Sequence, residues 1–263
     1  YYDSSYYYAY KFPHLEEWAL LRDYNCDGKQ DIFTYGYGGI TVWKNTSTGN
    51  ALQFTLVTTA LKSTYCPAFL NLAVTGVDIP TIDDIDGDGD LDILTYDAGG
   101  INMQYHINKS KELGYGCDSL IFNMDCSGCW GNFRASISGC NMTYGACRIM
   151  NPDSVERKIE PQELHSGNCS LCLDMDGDGD KDILLGQLGC CNMVMLTNGG
   201  SKTIANMVSM DDSFPSYDNP AMFSSFPCGY FIDINNDNKR DLIVSPNAPN
   251  VSINKESIWY YLN

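Results

Sequence analysis

Four nine-residue acidic segments constrain this chain more than any other feature. They run Asp23-Tyr-Asn-Cys-Asp-Gly-Lys-Gln-Asp31, Asp84-Ile-Asp-Gly-Asp-Gly-Asp-Leu-Asp92, Asp174-Met-Asp-Gly-Asp-Gly-Asp-Lys-Asp182 and Asp233-Ile-Asn-Asn-Asp-Asn-Lys-Arg-Asp241. Side-chain oxygens fall at positions 1, 3, 5 and 9: Asp23, Asn25, Asp27 and Asp31; Asp84, Asp86, Asp88 and Asp92; Asp174, Asp176, Asp178 and Asp182; Asp233, Asn235, Asp237 and Asp241. Gly or Asn occupies position 6 in each, so a tight turn can aim several hard oxygens at one point. Such donors suit Ca²⁺, and the main-chain carbonyl of position 7 usually adds one more. Those carbonyls belong to Lys29, Asp90, Asp180 and Lys239. The reading is about four Ca²⁺ ions, held most tightly by the second and third loops, which carry the most carboxylates.

An EF-hand would need a bidentate Glu at position 12 and flanking helices. Position 12 is instead Thr34, Thr95, Leu185 and Val244, none of which offers a carboxylate. The segments after the loops (Ile-Phe-Thr-Tyr, Ile-Leu-Thr-Tyr, Ile-Leu-Leu-Gly and Leu-Ile-Val-Ser) are apolar, mostly β-branched or aromatic strand sequences. The ninth-position Asp therefore closes a loop between two strands.

The similarity extends beyond the loops. A strand-like run precedes each one: Trp18 to Leu21, Ile79 to Ile82, Cys169 to Leu173 and Tyr230 to Ile232. A second strand follows the first downstream one and ends in Asn45, Asn108, Asn198 or Asn263, lying 22, 24, 24 and 30 residues after the first loop Asp. Leu52 to Val57 supplies a fourth strand in the first repeat. Four antiparallel strands per unit, at intervals of 61, 90 and 59 residues, describe the blades of an all-β propeller. Residues 1–263 read as one propeller, whole or partial.

The 90-residue interval holds a surplus at about residues 109–168, with Cys117, Cys126, Cys129, Cys140 and Cys147. It reads as a Cys-rich insertion, or as a degenerate blade that has lost its loop. Residues 1–12 resemble the tail of an earlier blade and the chain stops at the repeat's own closing Asn, so the reading is either a small closed ring of four blades or a segment of a longer protein.

Sixteen of the thirty-three Asp and Glu residues lie in the loops, so four divalent cations would move the formal net charge from −17 to about −9. Without metal the loops repel themselves, and order should depend on the ion. Nucleic acid is an unsuitable partner, because phosphate binding needs clustered Lys and Arg. The sequence carries no initiator Met, signal peptide or transmembrane run. Twelve Cys in an acidic, calcium-loop chain point to an extracellular, cell-surface or secreted location, where disulfides persist and calcium is plentiful. Most of the Cys should be paired. A bridge between Cys169 or Cys172 and Cys190 or Cys191 would staple the third blade. The alternative for Cys126, Cys129, Cys140 and Cys147 is a zinc module. Glycosylation sequons occur at Asn45, Asn108, Asn141, Asn168 and Asn250, and Asp118-Ser-Leu and Asp153-Ser-Val match a short bacterial O-glycosylation pattern.

The loop pattern followed by an Ile/Leu strand resembles the FG-GAP, or VCBS-type, repeat over nearly the whole chain except about residues 109–165. That resemblance implies a β-propeller whose inter-strand loops bind Ca²⁺, as in integrin α-subunit heads. The run Leu173 to Gly186 and the run Val194 to Gly200 look similar to large secreted surface proteins of Gram-negative bacteria, which often end in a type IX secretion sorting domain. Asn25, Asn235 and Asn238 depart from the fullest pattern and imply weaker binding in the first and fourth loops.

His14, His106 and His165 sit in no metal or triad motif, and no nucleophile elbow, P-loop or dinucleotide fingerprint is present. Three functions remain open. One is a non-catalytic surface binding or adhesion module for a protein or glycan. Another is a subunit of an extracellular fibre or surface layer that packs against copies of itself. The third is a polysaccharide-active enzyme on a calcium-binding propeller.

Overall fold

The structure, a computed structural model, describes residues 9–49, 51–136, 140–145, 147, 167–248, 255 and 257–263. Among the described residues, nineteen strands fill four blades and two small additions. Blade 1 is β1 (Glu16–Arg22), β2 (Asp31–Gly36), β3 (Gly39–Asn45) and β4 (Phe54–Thr58), paired in that order. A hairpin follows, β5 (Lys62–Tyr65) and β6 (Ala68–Asn71). Blade 2 is β7 (Thr81–Asp83), β8 (Asp92–Tyr96), β9 (Met103–Asn108) and β10 (Phe122–Met124). The hairpin joins it by a parallel pairing of β5 with β10, giving a six-stranded sheet. β11 (Phe133–Ala135) and β12 (Met142–Tyr144) form a separate two-stranded ribbon. Blade 3 is β13 (Asn168–Leu173), β14 (Asp182–Gln187), β15 (Met193–Asn198) and β16 (Met207–Phe214). Blade 4 shows three strands, β17 (Pro227–Ile232), β18 (Asp241–Pro246) and β19 (Trp259–Tyr261). The arrangement is that of a four-blade propeller.

The repeat explains the packing. Side chains at loop positions 10 and 11 point to opposite faces of a blade, because strand residues alternate. Phe33, at position 11 of blade 1, shares a core cluster with Ile93, at position 10 of blade 2. Leu94 of blade 2 packs in the same way with Ile183 of blade 3, and Leu184 of blade 3 with Leu242 of blade 4. Each blade thus buries its position-11 face on the position-10 face of the next. The two terminal faces are more open. On blade 1, Leu21 beside the buried Ile32 and Leu56 beside Trp43 are 52% and 43% exposed. On blade 4, Tyr260 beside Ile243 is 64% exposed.

The inner strands converge at one end. Ile79 forms a parallel bridge with Cys169, and Cys169 is disulfide-bonded to Cys228 of blade 4. Four further disulfides join Cys26 to Cys117, Cys66 to Cys126, Cys129 to Cys147 and Cys140 to Cys190. Cys172 and Cys191 are free. The expected staple within blade 3 is therefore wrong. Cys169 and Cys190 instead tie that blade to its neighbours, because their side chains leave the sheet toward β17 and the Cys-rich segment. The four Cys of the zinc alternative are all consumed in disulfides.

Two further expectations need adjustment. The insertion was bounded at residue 109, yet β10 is blade 2's own fourth strand, pairing antiparallel with β9. The surplus begins after it, and its described part carries only the β11–β12 ribbon and a 3₁₀ turn, Trp130–Asn132. Phe12, at the end of the segment read as the tail of an earlier blade, stacks on Phe54 of β4 in blade 1 at 5.4 Å between ring centres. His165, Asn250, Asp153 and residues 1–8 lie outside the described residues.

Candidate functional site: the acidic loops and the opposite cavity

Each acidic loop joins an inner strand to the second strand of its blade. Positions 4 and 6 take the left-handed conformation: φ is +57° and +82° at Cys26 and Gly28, and +80° and +95° at Gly87 and Gly89. The later loops repeat it, with +81° and +92° at Gly177 and Gly179 and +62° and +68° at Asn236 and Asn238. Gly, and less readily Asn, adopts this region without a large steric cost, which accounts for the residues at position 6.

The ninth-position Asp has a role that spacing alone did not reveal. Asp92 Oδ1 accepts the backbone N–H of Asn108 at 2.8 Å, and Oδ2 accepts those of Ile85 (3.2 Å) and the Tyr105 hydroxyl (2.8 Å). Asp31 likewise binds the N–H groups of Asn45 and Tyr24, Asp182 those of Asn198 and Met175, and Asp241 those of Asn263 and Ile234. All four carboxylates are buried. In the first three blades the closing Asn then ends its strand by accepting N–H groups further on: Asn198 Oδ1 takes those of Gly200 (3.0 Å) and Asn206 (2.8 Å). Asp and Asn together lock loop to strand in every blade.

The loops differ at position 3. In the first and fourth, the Asn25 and Asn235 amides donate to Asp27 and Asp237 at 3.2 and 3.0 Å. The N–H of Lys239 and that amide hold the Asp237 carboxyl below its usual range. The second and third loops have Asp86 and Asp176 there, with no proton to donate. Carboxylate oxygens of Asp84, Asp86 and Asp92 lie within 4.8 Å of one another, as do those of Asp174, Asp176 and Asp182. Burial pushes Asp92 up to about 8, against hydrogen bonds that pull it down. Burial also raises Asp86 and Asp182, with neighbouring carboxylates adding to it. Clustered, desolvated carboxylates of this kind are suited to a hard cation.

The position-5 residues were expected in the same groups. Instead Asp88 groups with Asp90 and Glu112, and Asp178 lies outside the third-loop group. The reason is local: Asp88 Oδ1 and Asp178 Oδ1 accept the N–H of Asp90 and Asp180, each at 3.0 Å, which turns them toward position 7. Asp27 and Asp237 do the same with the N–H groups of Lys29 and Lys239, at 3.0 and 2.9 Å.

At the other end of the strands lies a cavity of about 580 Å³ where blades 1, 2 and 3 meet. Tyr35, Tyr65 and Tyr96 line it, together with Asp78, Asp97 and Asn168, and no Lys or Arg does. Asp78 accepts the N–H of Asn168 at 2.8 Å and the Thr75 hydroxyl at 2.6 Å. Asn168 is 3% exposed, and its Oδ1 has no hydrogen-bond partner among the described residues. Behind the wall, His106 contacts Thr95 at 3.3 Å and Ser63 at 2.9 Å, and burial pulls it down to about 4, so it is neutral. Sequence reasoning missed this site because its residues come from three blades. Burial also removes Asn108 and Asn168 as glycosylation sites, whereas Asn141 is exposed.

Residues 23–95, spanning the first two loops, match the FG-GAP-like repeat family. No curated protein matches the chain. Among solved structures, the chain is similar to a lectin of Agrocybe aegerita described as recognising non-reducing terminal N-acetylglucosamine. The TM-score is 0.35 at 13% identity, with 86% of this chain and 60% of the lectin chain covered.

Proposed function

We propose that this chain is a calcium-stabilised extracellular binding module that performs no chemistry itself. The cavity between blades 1, 2 and 3 carries the binding part of this reading. Ligand sites are concave, with apolar or aromatic walls and a few converging polar groups, in volumes of about 300–1,000 Å³. The half-buried Tyr35 and Tyr65 offer ring faces for a sugar, and the partly exposed Asp97 carboxylate offers an acceptor for its hydroxyl or amide hydrogen. With Asp78 and Asp97 present and no basic lining residue, a neutral glycan fits better than an anionic one.

The acidic loops hold calcium at the opposite end. Asp84, Asp86 and Asp92, and Asp174, Asp176 and Asp182, would supply the carboxylates of the two tightest sites, and the first and fourth loops weaker ones. Five disulfides support an oxidising compartment, consistent with the cell surface or secretion. The ion would brace the blades and take no part in ligand chemistry.

Glycan-array screening followed by calorimetry with the best neutral oligosaccharide tests this. Binding should fall at least tenfold in Tyr35→Ala and Tyr65→Ala variants that keep the wild-type melt. Failure of the native protein to bind any array glycan, or unchanged affinity in both variants, would overturn it.

A second reading, a subunit of an assembly, is favoured by the open terminal faces at Leu21, Leu56 and Tyr260. Position-10 and position-11 faces join neighbouring blades inside the chain, so these two faces could join neighbouring copies head to tail. Light scattering in calcium should show association that Leu21→Lys and Tyr260→Lys abolish; a monodisperse wild-type monomer removes this reading.

A further inference from the structure

The seam between blades 3 and 4 is built differently from the other two at its loop end. In blades 1 and 2 the position-2 side chains, Tyr24 and Ile85, are buried in the clusters that join each blade to the next. Met175 holds that position in blade 3 and is 40% exposed. It lines a cavity of about 250 Å³, walled by the buried Leu173, Phe214 and Leu242 and by the half-buried Phe231 and Tyr261. A concave space with aromatic walls and a few polar groups is the form of a small-molecule site. This volume, below the roughly 300 Å³ at which drug-sized sites begin, has room for a single ring.

Arg240 also lines this cavity, and the repeat explains why its charge is unmatched. It stands at position 8 of the fourth loop, where the third loop has Lys181. Lys181 Nζ lies 3.4 Å from Asp83 Oδ1, and Asp83 immediately precedes the loop of the neighbouring blade. For Arg240 the residue in that place is Leu173, one of the cavity walls. Arg240 is exposed and makes no hydrogen bond or ion pair among the described residues. Arg22 stands close by: burial pulls its guanidinium below the usual range and the Arg240 charge adds to this, against Asp83. Two like charges at one rim favour an anion between them. The one acidic side chain among the described lining residues, Asp174, is turned to its own loop. Its Oδ1 accepts the N–H of Gly177 at 2.8 Å and its Oδ2 that of Gly179 at 3.1 Å. Asp218 lies near Tyr217 and Tyr261, so the opposite end of the cavity is the negative one.

We propose that the seam between blades 3 and 4 binds a small carboxylate that carries a single apolar ring. The carboxylate takes the place that Asp83 fills for Lys181 and accepts paired N–H donors from Arg240. The ring enters between Phe214, Phe231 and Tyr261. An apolar ring suits these walls better than a sugar. The Tyr261 hydroxyl already donates to the Asn219 carbonyl at 2.7 Å, and Asp174 is engaged by its loop. The site lies at the loop end, apart from the cavity between blades 1, 2 and 3, and does not rest on the glycan reading of that cavity.

Titration calorimetry on the full chain in calcium tests this with three probes: hydrocinnamate, its uncharged amide, and glucuronate. Hydrocinnamate should bind with a Kd below about 1 mM. The amide and glucuronate should bind about tenfold more weakly or worse. Arg240→Gln, at an exposed position, should keep the wild-type melt and remove the preference for the acid over the amide. Met175→Tyr, which copies Tyr24 of blade 1, should close the seam and abolish binding. No binding of hydrocinnamate to wild type, equal affinity for acid and amide, or unchanged binding in Met175→Tyr overturns the site. An acid preference that survives Arg240→Gln overturns it as well, because the carboxylate then sits on loop calcium. Glucuronate bound more tightly than hydrocinnamate overturns the apolar ring.

Discussion

Asp92 accepts the backbone N–H of Asn108 across sixteen residues of chain, at 2.8 Å, and the equivalent pair recurs in every blade. Asp92 thus serves the fold before any metal arrives. Three donors converge on it, the N–H groups of Ile85 and Asn108 and the Tyr105 hydroxyl. Replacing it with Ala strands at least two of them in a buried setting, at about 1–3 kcal/mol each. Asp92→Ala should lose about 3 kcal/mol or more in urea unfolding, measured in EDTA to exclude metal. A loss below about 1 kcal/mol would show that the pairing is incidental.

The same burial predicts an unusual pH dependence. Asp92 is raised to about 8 in the folded state, and Asp90 and Asp180 to about 6, burial being the largest cause in each. The folded, metal-free chain therefore holds protons that the unfolded chain releases. The stability these groups contribute is fully present below about pH 4, the unfolded carboxyl range, and declines as pH rises toward about 8. Calcium competes with those protons, so its stabilising effect should grow over the same range. Melts in EDTA at pH 5 and pH 7.5 check this: the pH 7.5 sample should unfold at the lower temperature, and calcium should reverse the order. A metal-free chain that is more stable at pH 7.5 would contradict the assigned environment of Asp92.

Free thiols provide a check on the covalent frame. Cys172 is buried and Cys191 exposed, and the other ten Cys are paired. Thiol titration without reductant should find about one reactive group in the native chain and two after denaturation. Reducing the frame should be costly, since loss of a native disulfide removes about 2–5 kcal/mol in small secreted domains. Ten or more free thiols would place the chain in a reducing compartment.

Much of this architecture was legible in the sequence. The acidic spacing located the four turns, and the runs around Phe33, Leu94, Leu184 and Ile243 located the strands that follow them. The closing Asn residues were visible as a pattern but not as a cause; their link to the ninth Asp needs the folded hairpin. Disulfide partners were not legible. Cys169 finds Cys228 only because two inner strands converge, and sequence proximity to Cys190 was misleading. The inward turn of Asp88 toward position 7 depends on one backbone hydrogen bond. Glu112 belongs to a connection with no motif of its own, and the cavity draws Tyr35, Tyr96 and Asn168 from three blades, so no local pattern could mark either.

Calcium dependence of folding tests the account most directly. A ligand that binds only the native state at about 100 times its Kd adds about 2.7 kcal/mol per independent site. Thermal unfolding should be followed in millimolar calcium and again in EDTA at pH 7.5, alongside elemental analysis of the dialysed protein. The expected result is at least two bound calcium ions per chain and a melting temperature lowered by ten degrees or more in EDTA, on the basis of about 2–4 degrees per kcal/mol for a chain of this size. Superimposable melts with no calcium bound would contradict the central claim that the acidic loops are metal sites on which this fold depends.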